Sequence, residues 1–328
     1  MRIFLAEEKL VQSALKANSP FFSQASRMDG EYKSNSYPFC LPLSCASENL
    51  FPEIRNTTKD YFRRHEIKWH DGHGGNPSNH LCDSQVCCIN FLFPFADKPV
   101  ALAELLRPFF PDLQTMLPLE DEQYVAFEWI GATNYLGEKI SRMGKRTRGA
   151  NFTSADAAVL FQNSKGKKQI LLIEWKYTEA YSSTWLKYAP SGTDRTSIYQ
   201  HLYDAEDCPL KNSLIPSFDA LFYEPFYQLL RQQFLAHEME KAHELGAEKV
   251  TLLHIAPAHN KDFRDVTSPD LRSIDVSAIS VWKKIVLDPS TFASVCTEDL
   301  FGRFDTHRFP ELREWFEYIF TRYAWVTE

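Results

Sequence analysis

Two acidic residues and a lysine stand at the ends of two short apolar runs that a polar turn separates. Asp156 precedes the run 157–161, and Glu174 and Lys176 directly follow the apolar run that ends at Ile173. Charged residues after such a run require a reason, because burying an unpaired charge is costly. Paired carboxylates next to a lysine are suited to binding a divalent cation and to assisting the hydrolysis of a phosphate ester.

The two runs are predicted to form a β-hairpin, because residues 163–167 between them are polar and contain a glycine. If the turn is centred on Lys165, Asp156 lies opposite Glu174. Directly opposed residues share a face of the sheet, with Cβ atoms roughly 4.5–5.5 Å apart. Lys176, two residues beyond Glu174, lies on the same face. The register therefore predicts that both carboxyl groups and the lysine converge at the open end of the hairpin.

Carboxylates at that distance repel each other unless a cation lies between them. A small cluster of hard oxygen ligands suits Mg²⁺ or Mn²⁺, so Asp156 and Glu174 are the predicted metal ligands. Lys176 would hold or deprotonate a water molecule, or neutralise charge that develops on a phosphate. The alternative is a surface aspartate and an ordinary Glu–Lys pair at a strand edge. A turn one residue longer or shorter would move every side chain to the other face.

The order of Asp156 and, eighteen residues later, Glu174-Trp175-Lys176 resembles the PD-(D/E)XK signature of restriction-endonuclease-like nucleases, with Ala155 in the place of the proline. The stretches RGANFTSADAAVLF, LLIEWKYTEAY and LFYEPFYQLLRQQFLAHEME resemble a bacterial branch of that superfamily. This resemblance extends over about residues 69–259. It implies a nuclease that acts on DNA with Mg²⁺ or Mn²⁺, in which Asp156 and Glu174 bind the metal and Lys176 assists the attacking water.

Many members of the superfamily use a further acid from an element before the aspartate. Glu138 is the first candidate, because it lies just before the basic run that leads into the Asp156 strand. Glu128, within a predicted strand over 124–130, is the second candidate. Glu104, on a preceding helix, is the third. Each of them could equally be an ordinary surface acid.

Five cations between residues 139 and 148 predict a local phosphate-binding patch on a chain whose formal net charge is −7. A solvated loop is the alternative. The five are Lys139, Arg142, Lys145, Arg146 and Arg148.

Polar residues on two predicted helices are accessory candidates. Gln228, Arg231 and Gln232 share one face of a helix predicted over 224–245. Their position resembles that of the glutamine-bearing helix found after the ExK strand in RecB-like relatives. Ser84 and Gln85 open an otherwise apolar helix, where they would contact the active site or DNA, or satisfy buried backbone groups.

The stretch from His70 to Cys88 contains six residues of types that bind zinc, and a zinc-stabilised interaction module is the alternative function that it suggests. The six are His70, His73, His80, Cys82, Cys87 and Cys88. Their spacing matches no standard zinc finger. The simpler interpretation is a loop followed by a helix that Asp83 or Ser84 caps, with the cysteines as small buried apolar residues. A nuclease fold that binds nucleic acid or a partner without cutting is a further alternative.

The apolar patterns predict an α/β fold in the order helix–strand–strand–strand–helix–strand. This order matches the restriction-endonuclease-like core of the superfamily that the chain resembles, so the resemblance implies a mixed central sheet flanked by helices. We expect an irregular and helical N-terminal extension over 1–66, the core over 67–260 with an insertion at 178–223, and a C-terminal helical extension over 261–328. The last helix, predicted over 310–323, presents an apolar face for packing or for a homodimer.

The composition favours a folded protein of the cytosol. The chain has 328 residues, of which 44% are hydrophobic, and this supports a sizeable core. Seven cysteines, an odd number, do not indicate a disulfide framework and favour a reducing compartment. No apolar run approaches the roughly 20 residues that a membrane span needs, and the N-terminus has acids where a signal peptide would be apolar. We therefore expect a cytoplasmic protein with no membrane contact.

Overall fold

A mixed sheet of six strands forms the centre of the molecule, and helices cover both of its faces. The protein is described by a computed structural model that covers residues 3–139, 144–150 and 152–327. Five strands lie in the order β10-β9-β8-β7-β5, and a further strand, β6, pairs with β7 beside β5. The pairs β8·β9 and β9·β10 are parallel, whereas β7 pairs antiparallel with β5, β6 and β8.

The strands of the described residues are β1 Gly30–Tyr32, β2 Asn35–Tyr37, β3 Gly72–His73, β4 Asn76–Ser78, β5 Leu113–Leu117, β6 Ala126–Trp129, β7 Ala155–Asn163, β8 Lys168–Trp175, β9 Lys249–Ala256 and β10 Phe292–Cys296. The α-helices are α1 Ile3–Asn18, α2 Arg55–Arg64, α3 Ser84–Leu92, α4 Pro99–Leu106, α5 Thr196–Tyr203, α6 Phe226–Lys241, α7 Ala278–Ile285, α8 Thr297–Phe301 and α9 Arg313–Arg322. Strands β1–β2 and β3–β4 form two small separate hairpins.

The β7–β8 hairpin has the predicted register. Gln162 lies opposite Lys168, and Ala157 lies opposite Ile173. The turn is held by Asn163, whose side-chain oxygen accepts the backbone N–H groups of residues 165 and 167, both at 3.0 Å. The prediction of this hairpin is confirmed, and one further step of the same register leads to Asp156 and Glu174.

Two apolar cores lie on opposite faces of the sheet. Ile173 and Trp175 belong to the core that also includes side chains of α3, α4 and α9. Ile170 and Leu172 belong to the core that includes side chains of α6 and α7. Because side chains alternate along a strand, Glu174 projects toward the α6 face, where its carboxyl group meets a polar residue of that helix.

The predicted elements occur in the predicted order, and the structure adds two strands to the sheet. Strand β5 lies between α4 and β6 along the chain, and its sequence LQTML does not alternate strictly between apolar and polar residues. Strand β10 joins β9 from within residues 261–328, which were expected to be helical. Both are short strands of five residues that the pairing of distant segments stabilises, so their local patterns were weak.

Across the part of the chain that the structure describes, no single helix has the length and apolar composition of a membrane span. The segments Ser84–Phe95 and Pro99–Leu106 meet those criteria only jointly, and a bend of 118° separates them.

Candidate active site

Asp156, Glu174 and Lys176 meet in a cleft of about 330 Å³ at the end of the hairpin. Asp156 comes from the start of β7, and Glu174 from the end of β8. Lys176 follows directly after β8 and extends the backbone pairing with β9, because its N–H donates to the carbonyl of Ile255 at 2.8 Å. All three side chains line the cleft, as the register predicts.

Glu174 and Lys176 form a buried ion pair. They are 3% and 4% exposed, and Lys176 Nζ lies 2.5 Å from Glu174 Oε1. Burial is the largest single influence and opposes the charge on Lys176, but Glu174 together with Tyr181, Glu179 and Asp156 outweighs it and holds the pKa of Lys176 well above its usual range. The other Glu174 oxygen accepts a hydrogen bond of 2.9 Å from Gln232 Nε2 of α6. Lys176 is therefore a protonated group fixed at the floor of the cleft.

Asp156 is oriented by the backbone of the neighbouring strand, since its Oδ2 accepts the N–H of Trp175 at 2.7 Å. Burial, and after it the nearby Glu174 carboxylate, raises the pKa of Asp156 well above its usual value, while Lys176 acts in the opposite direction. The cleft thus contains more acidic groups than Lys176 alone can neutralise.

A third acid of this cluster is Glu128, from β6. It is 7% exposed and lines the same cleft. Its oxygens accept hydrogen bonds from Gln85 Nε2 at 2.6 Å and from Ser154 Oγ at 2.7 Å. Burial raises the pKa of Glu128, and Glu174 adds to the increase. Glu128 also has a left-handed backbone, with φ of 51°, which is strained for a residue other than glycine or asparagine.

The other two acids proposed from the sequence lie outside this cleft. Glu138 accepts hydrogen bonds from the backbone N–H and hydroxyl of Thr153, at 2.8 and 2.6 Å, and from the Tyr199 hydroxyl at 2.7 Å. It lines a neighbouring cavity. Glu104 forms ion pairs with Arg107 and Arg308. The geometry therefore favours Glu128, the second candidate, as the acid that accompanies Asp156 and Glu174.

The accessory residues predicted on two helices all line the cleft. Gln232 holds Glu174 and donates to the carbonyl of Ser154 at 2.6 Å. Gln228 accepts a hydrogen bond from the Tyr181 hydroxyl at 3.1 Å. Arg231 forms no hydrogen bond or ion pair with any residue that the structure describes, and its Nε is sealed from solvent.

The two polar residues that open α3 also contribute. Asp83 caps this helix by accepting the N–H of Val86 at 2.9 Å, as the sequence indicated. The following turn then presents Gln85 to Glu128 and places Ser84 in the cleft, with its buried hydroxyl unpaired among the described residues. Sequence reasoning missed Ser154, although its position two residues before Asp156 on one extended segment was a usable signal.

Several cations of the basic run 139–148 form hydrogen bonds or ion pairs within the protein. Arg148 donates to Glu120 at 2.8 Å and to the carbonyl of Phe127, so it is a structural residue. Arg146 donates to the carbonyls of residues 130 and 131, at 2.9 and 2.6 Å. Lys145 forms an ion pair with Glu66. Lys139 lines the neighbouring cavity, and Arg142 lies outside the described residues.

The His70–Cys88 stretch has the features of the simpler interpretation. Cys82, Cys87 and Cys88 are buried free thiols, and burial raises the pKa of each one. His80 accepts the N–H of Cys82 at 3.1 Å, and His70 pairs with the capping Asp83. Within the described ranges, no three His, Cys, Asp or Glu residues form a group that could hold a metal ion.

A bound Mg²⁺ does not require such a group, because it usually retains several waters and takes only one or two protein carboxylates together with substrate phosphate. The charge of the cleft indicates whether the site suits Mg²⁺. Four acidic side chains line it, Glu128, Asp156, Glu174 and Glu179, against the two cations Lys176 and Arg231. Burial, and after it the Glu174 carboxylate, raises the pKa values of Asp156 and Glu128. A divalent cation between Asp156 and Glu174 would offset that excess negative charge.

No curated protein and no solved structure matches the chain. Residues 9–324 match a protein family described as "Restriction Endonuclease associating with ARP". That description suggests a nuclease-like function with DNA as the substrate. Because the match covers nearly the whole chain, the protein belongs to this restriction endonuclease family.

Proposed function

We propose that the protein is a Mg²⁺- or Mn²⁺-dependent deoxyribonuclease of the PD-(D/E)XK type, which hydrolyses phosphodiester bonds of DNA. The observation that carries the proposal is the meeting of Asp156, Glu174 and Lys176 at the ends of two paired strands in one cleft. The hairpin register brings the three together, and family membership supports DNA as the substrate.

In this proposal Asp156 and Glu174 hold the metal, and each is already oriented by a neighbour. The Trp175 N–H fixes Asp156, and Gln232 fixes Glu174. When bound, the metal polarises the phosphate and lowers the pKa of a water molecule. Positions fixed before the substrate arrives reduce the reorganisation that the reaction must undergo.

Lys176 contributes to the reaction through its positive charge. It is protonated, buried and directed at Glu174, so its charge lies next to the proposed metal ligands. A fixed ammonium group there would hold the attacking water and stabilise negative charge that develops on the phosphate oxygens. Glu128, held by Gln85 and Ser154, would accept a hydrogen bond from that water or from one that binds the metal.

The test is a cleavage assay with plasmid, linear duplex and single-stranded DNA, each with Mg²⁺, with Mn²⁺ and with excess EDTA. We expect metal-dependent cleavage by the wild-type protein and none by Asp156→Asn or Glu174→Gln. Glu104→Gln is a matched control, because it changes an acid that lies outside the cleft. Cleavage that survives both cleft substitutions would exclude this site as the catalytic centre.

A further inference from the structure

A second cavity of about 600 Å³ adjoins the cleft. Its volume lies within the range of roughly 300–1,000 Å³ that is usual for small-molecule sites. The two cavities share Ala150, Phe152 and Arg231 in their linings, so they lie side by side along one groove. A DNA strand with one phosphate in the cleft would therefore place an adjacent nucleotide in or beside the second cavity.

Phe152 is an aromatic residue without a structural role in the core. It is half-exposed and belongs to none of the three apolar clusters. Its ring stacks on no other aromatic ring of the described residues, although this protein is rich in such contacts. An aromatic face that lines a polar groove and stacks on no described ring is available to a planar ligand.

Arg231 supplies the complementary charge at the same point. Its guanidinium lies over the ring of Tyr227, 4.8 Å from the ring centroid, and this contact holds it in place. It forms no hydrogen bond or ion pair in the described part of the chain, and its Nε is buried. A guanidinium has five N–H donors in a fork that fits phosphate oxygens, and the lack of partners leaves them unused.

The walls of the second cavity combine apolar and cationic groups. Leu186, Ile198 and Tyr199 contribute apolar surface, and Lys139 and Arg195 contribute positive charge. Contact with a DNA backbone alone would need only the cations. Apolar walls beside cations fit a ligand that has both a flat apolar part and an anionic part, and a nucleotide is such a ligand.

The two acids that line this cavity are already engaged. Glu138 accepts its three hydrogen bonds from Thr153 and Tyr199. Glu224 accepts the N–H of Gln228 at 3.2 Å. Both acids lie near enough to raise the pKa of Arg231, but neither forms a hydrogen bond or an ion pair with it among the described residues.

Two large exposed aromatic residues are sequence neighbours of the lining residues Leu186 and Ala189. Trp185 and Tyr188 are 44% and 53% exposed, and their rings form an edge-to-face pair with centroids 5.8 Å apart. Lys187 lies between them in the sequence. Aromatic residues interleaved with cations are typical of surfaces that bind unpaired bases.

We propose that the second cavity binds an unpaired nucleotide next to the cleaved phosphate, with its base on Phe152 and its phosphate on Arg231. In a duplex the faces of a base are covered by its stacked neighbours, so a base reaches such a cavity only where it is unpaired or extruded. The inference rests on the nuclease function proposed above and adds a substrate class, which is single-stranded or locally unpaired DNA.

The experiment compares three end-labelled DNAs of one sequence with Mg²⁺: a full duplex, the same duplex with one unpaired nucleotide, and the single strand. We expect the wild-type protein to cleave the single strand and the duplex with an unpaired nucleotide with a kcat/KM at least about tenfold higher than that for the full duplex. The reason is that extruding a base from the full duplex costs the free energy of unstacking and unpairing. Phe152→Leu should bring this ratio close to one. Phe316→Leu is the matched control, because it changes a half-buried phenylalanine of α9 outside the groove.

Arg231→Gln should lower cleavage of all three DNAs alike, since every substrate presents a phosphate. Equal cleavage of the three DNAs by the wild-type protein would overturn the inference and leave the proposed nuclease intact. An unchanged ratio in Phe152→Leu would also overturn it. Failure to cut any DNA would instead overturn the proposed function.

Discussion

Replacing Lys176 with methionine should destabilise the metal-free protein strongly. The substitution keeps much of the side-chain volume and removes the charge. Glu174, 3% exposed, would then retain only the neutral Gln232 as a partner. Breaking a buried ion pair by removing one member typically costs about 3–5 kcal/mol, because the other charge stays uncompensated.

The size of this effect can be expressed as a melting temperature. At about 2.1 cal/mol/K per residue, a chain of 328 residues unfolds with an entropy of roughly 0.7 kcal/mol/K. A loss of about 3–5 kcal/mol therefore lowers Tm by about 4–7 °C.

Asp156→Asn should behave in the opposite way. Because burial and, after it, the neighbouring Glu174 carboxylate raise the pKa of Asp156, its negative charge is unfavourable in the metal-free protein. Removing that charge should leave Tm unchanged or raise it slightly. Mg²⁺ at 100 times its Kd should stabilise the wild-type protein by about 2.7 kcal/mol, or about 4 °C. Asp156→Asn should show a clearly smaller rise.

The assay is a set of thermal melts followed by circular dichroism, with and without Mg²⁺, on the wild-type protein, Lys176→Met, Asp156→Asn and the control Glu104→Gln. A Lys176→Met protein that melts within a degree of the wild type would show that the pair contributes no net stability. Identical wild-type melts with and without Mg²⁺ would refute the metal site.

Three further outcomes are expected. Glu128→Gln should lower kcat/KM by about 10²-fold, the loss typical of one positioned polar group, and an unchanged value would remove Glu128 from the site. Arg148→Ala should destabilise the fold, because it breaks the ion pair with Glu120, while leaving the salt dependence of DNA binding unchanged in a titration. Burial lowers the pKa of His80 from 6.5 to about 4, so below pH 6.5 the unfolded chain binds more protons than the folded protein. The free energy of unfolding therefore decreases as the pH is lowered. The wild-type protein should lose about 2 kcal/mol from this group between pH 7 and 5 in urea titrations, and His80→Asn, whose amide oxygen can still accept the Cys82 N–H, should not; equal losses would refute the assignment.

The hairpin was predictable because its information is local. Polar residues and a glycine predict the turn 163–167, and once the length of the turn is known the register follows by counting. The placement of Asp156 opposite Glu174 then requires no knowledge of the rest of the fold. The helix α3 was also predictable from a local signal, because Asp83 is a strong N-cap before an apolar run.

The choice of the third acid could not be made from the sequence. Glu138 is closer to Asp156 along the chain, but its segment turns away to Thr153 and Tyr199. Glu128 is more distant along the chain and enters the cleft because β6 pairs with β7. Strand β10 was missed for the same reason, since its pairing with β9 joins segments far apart in the sequence.

The conformation of Glu128 has a consequence for protein engineering. Its left-handed backbone and its buried carboxyl group each cost stability, and glycine at this position would relieve both. A library screened only for expression or heat resistance should therefore enrich replacements of Glu128, and the enriched clones would lack an acid of the cleft. Thermostable versions of this protein should be selected with the codon for residue 128 held constant, because stability and activity favour different residues there.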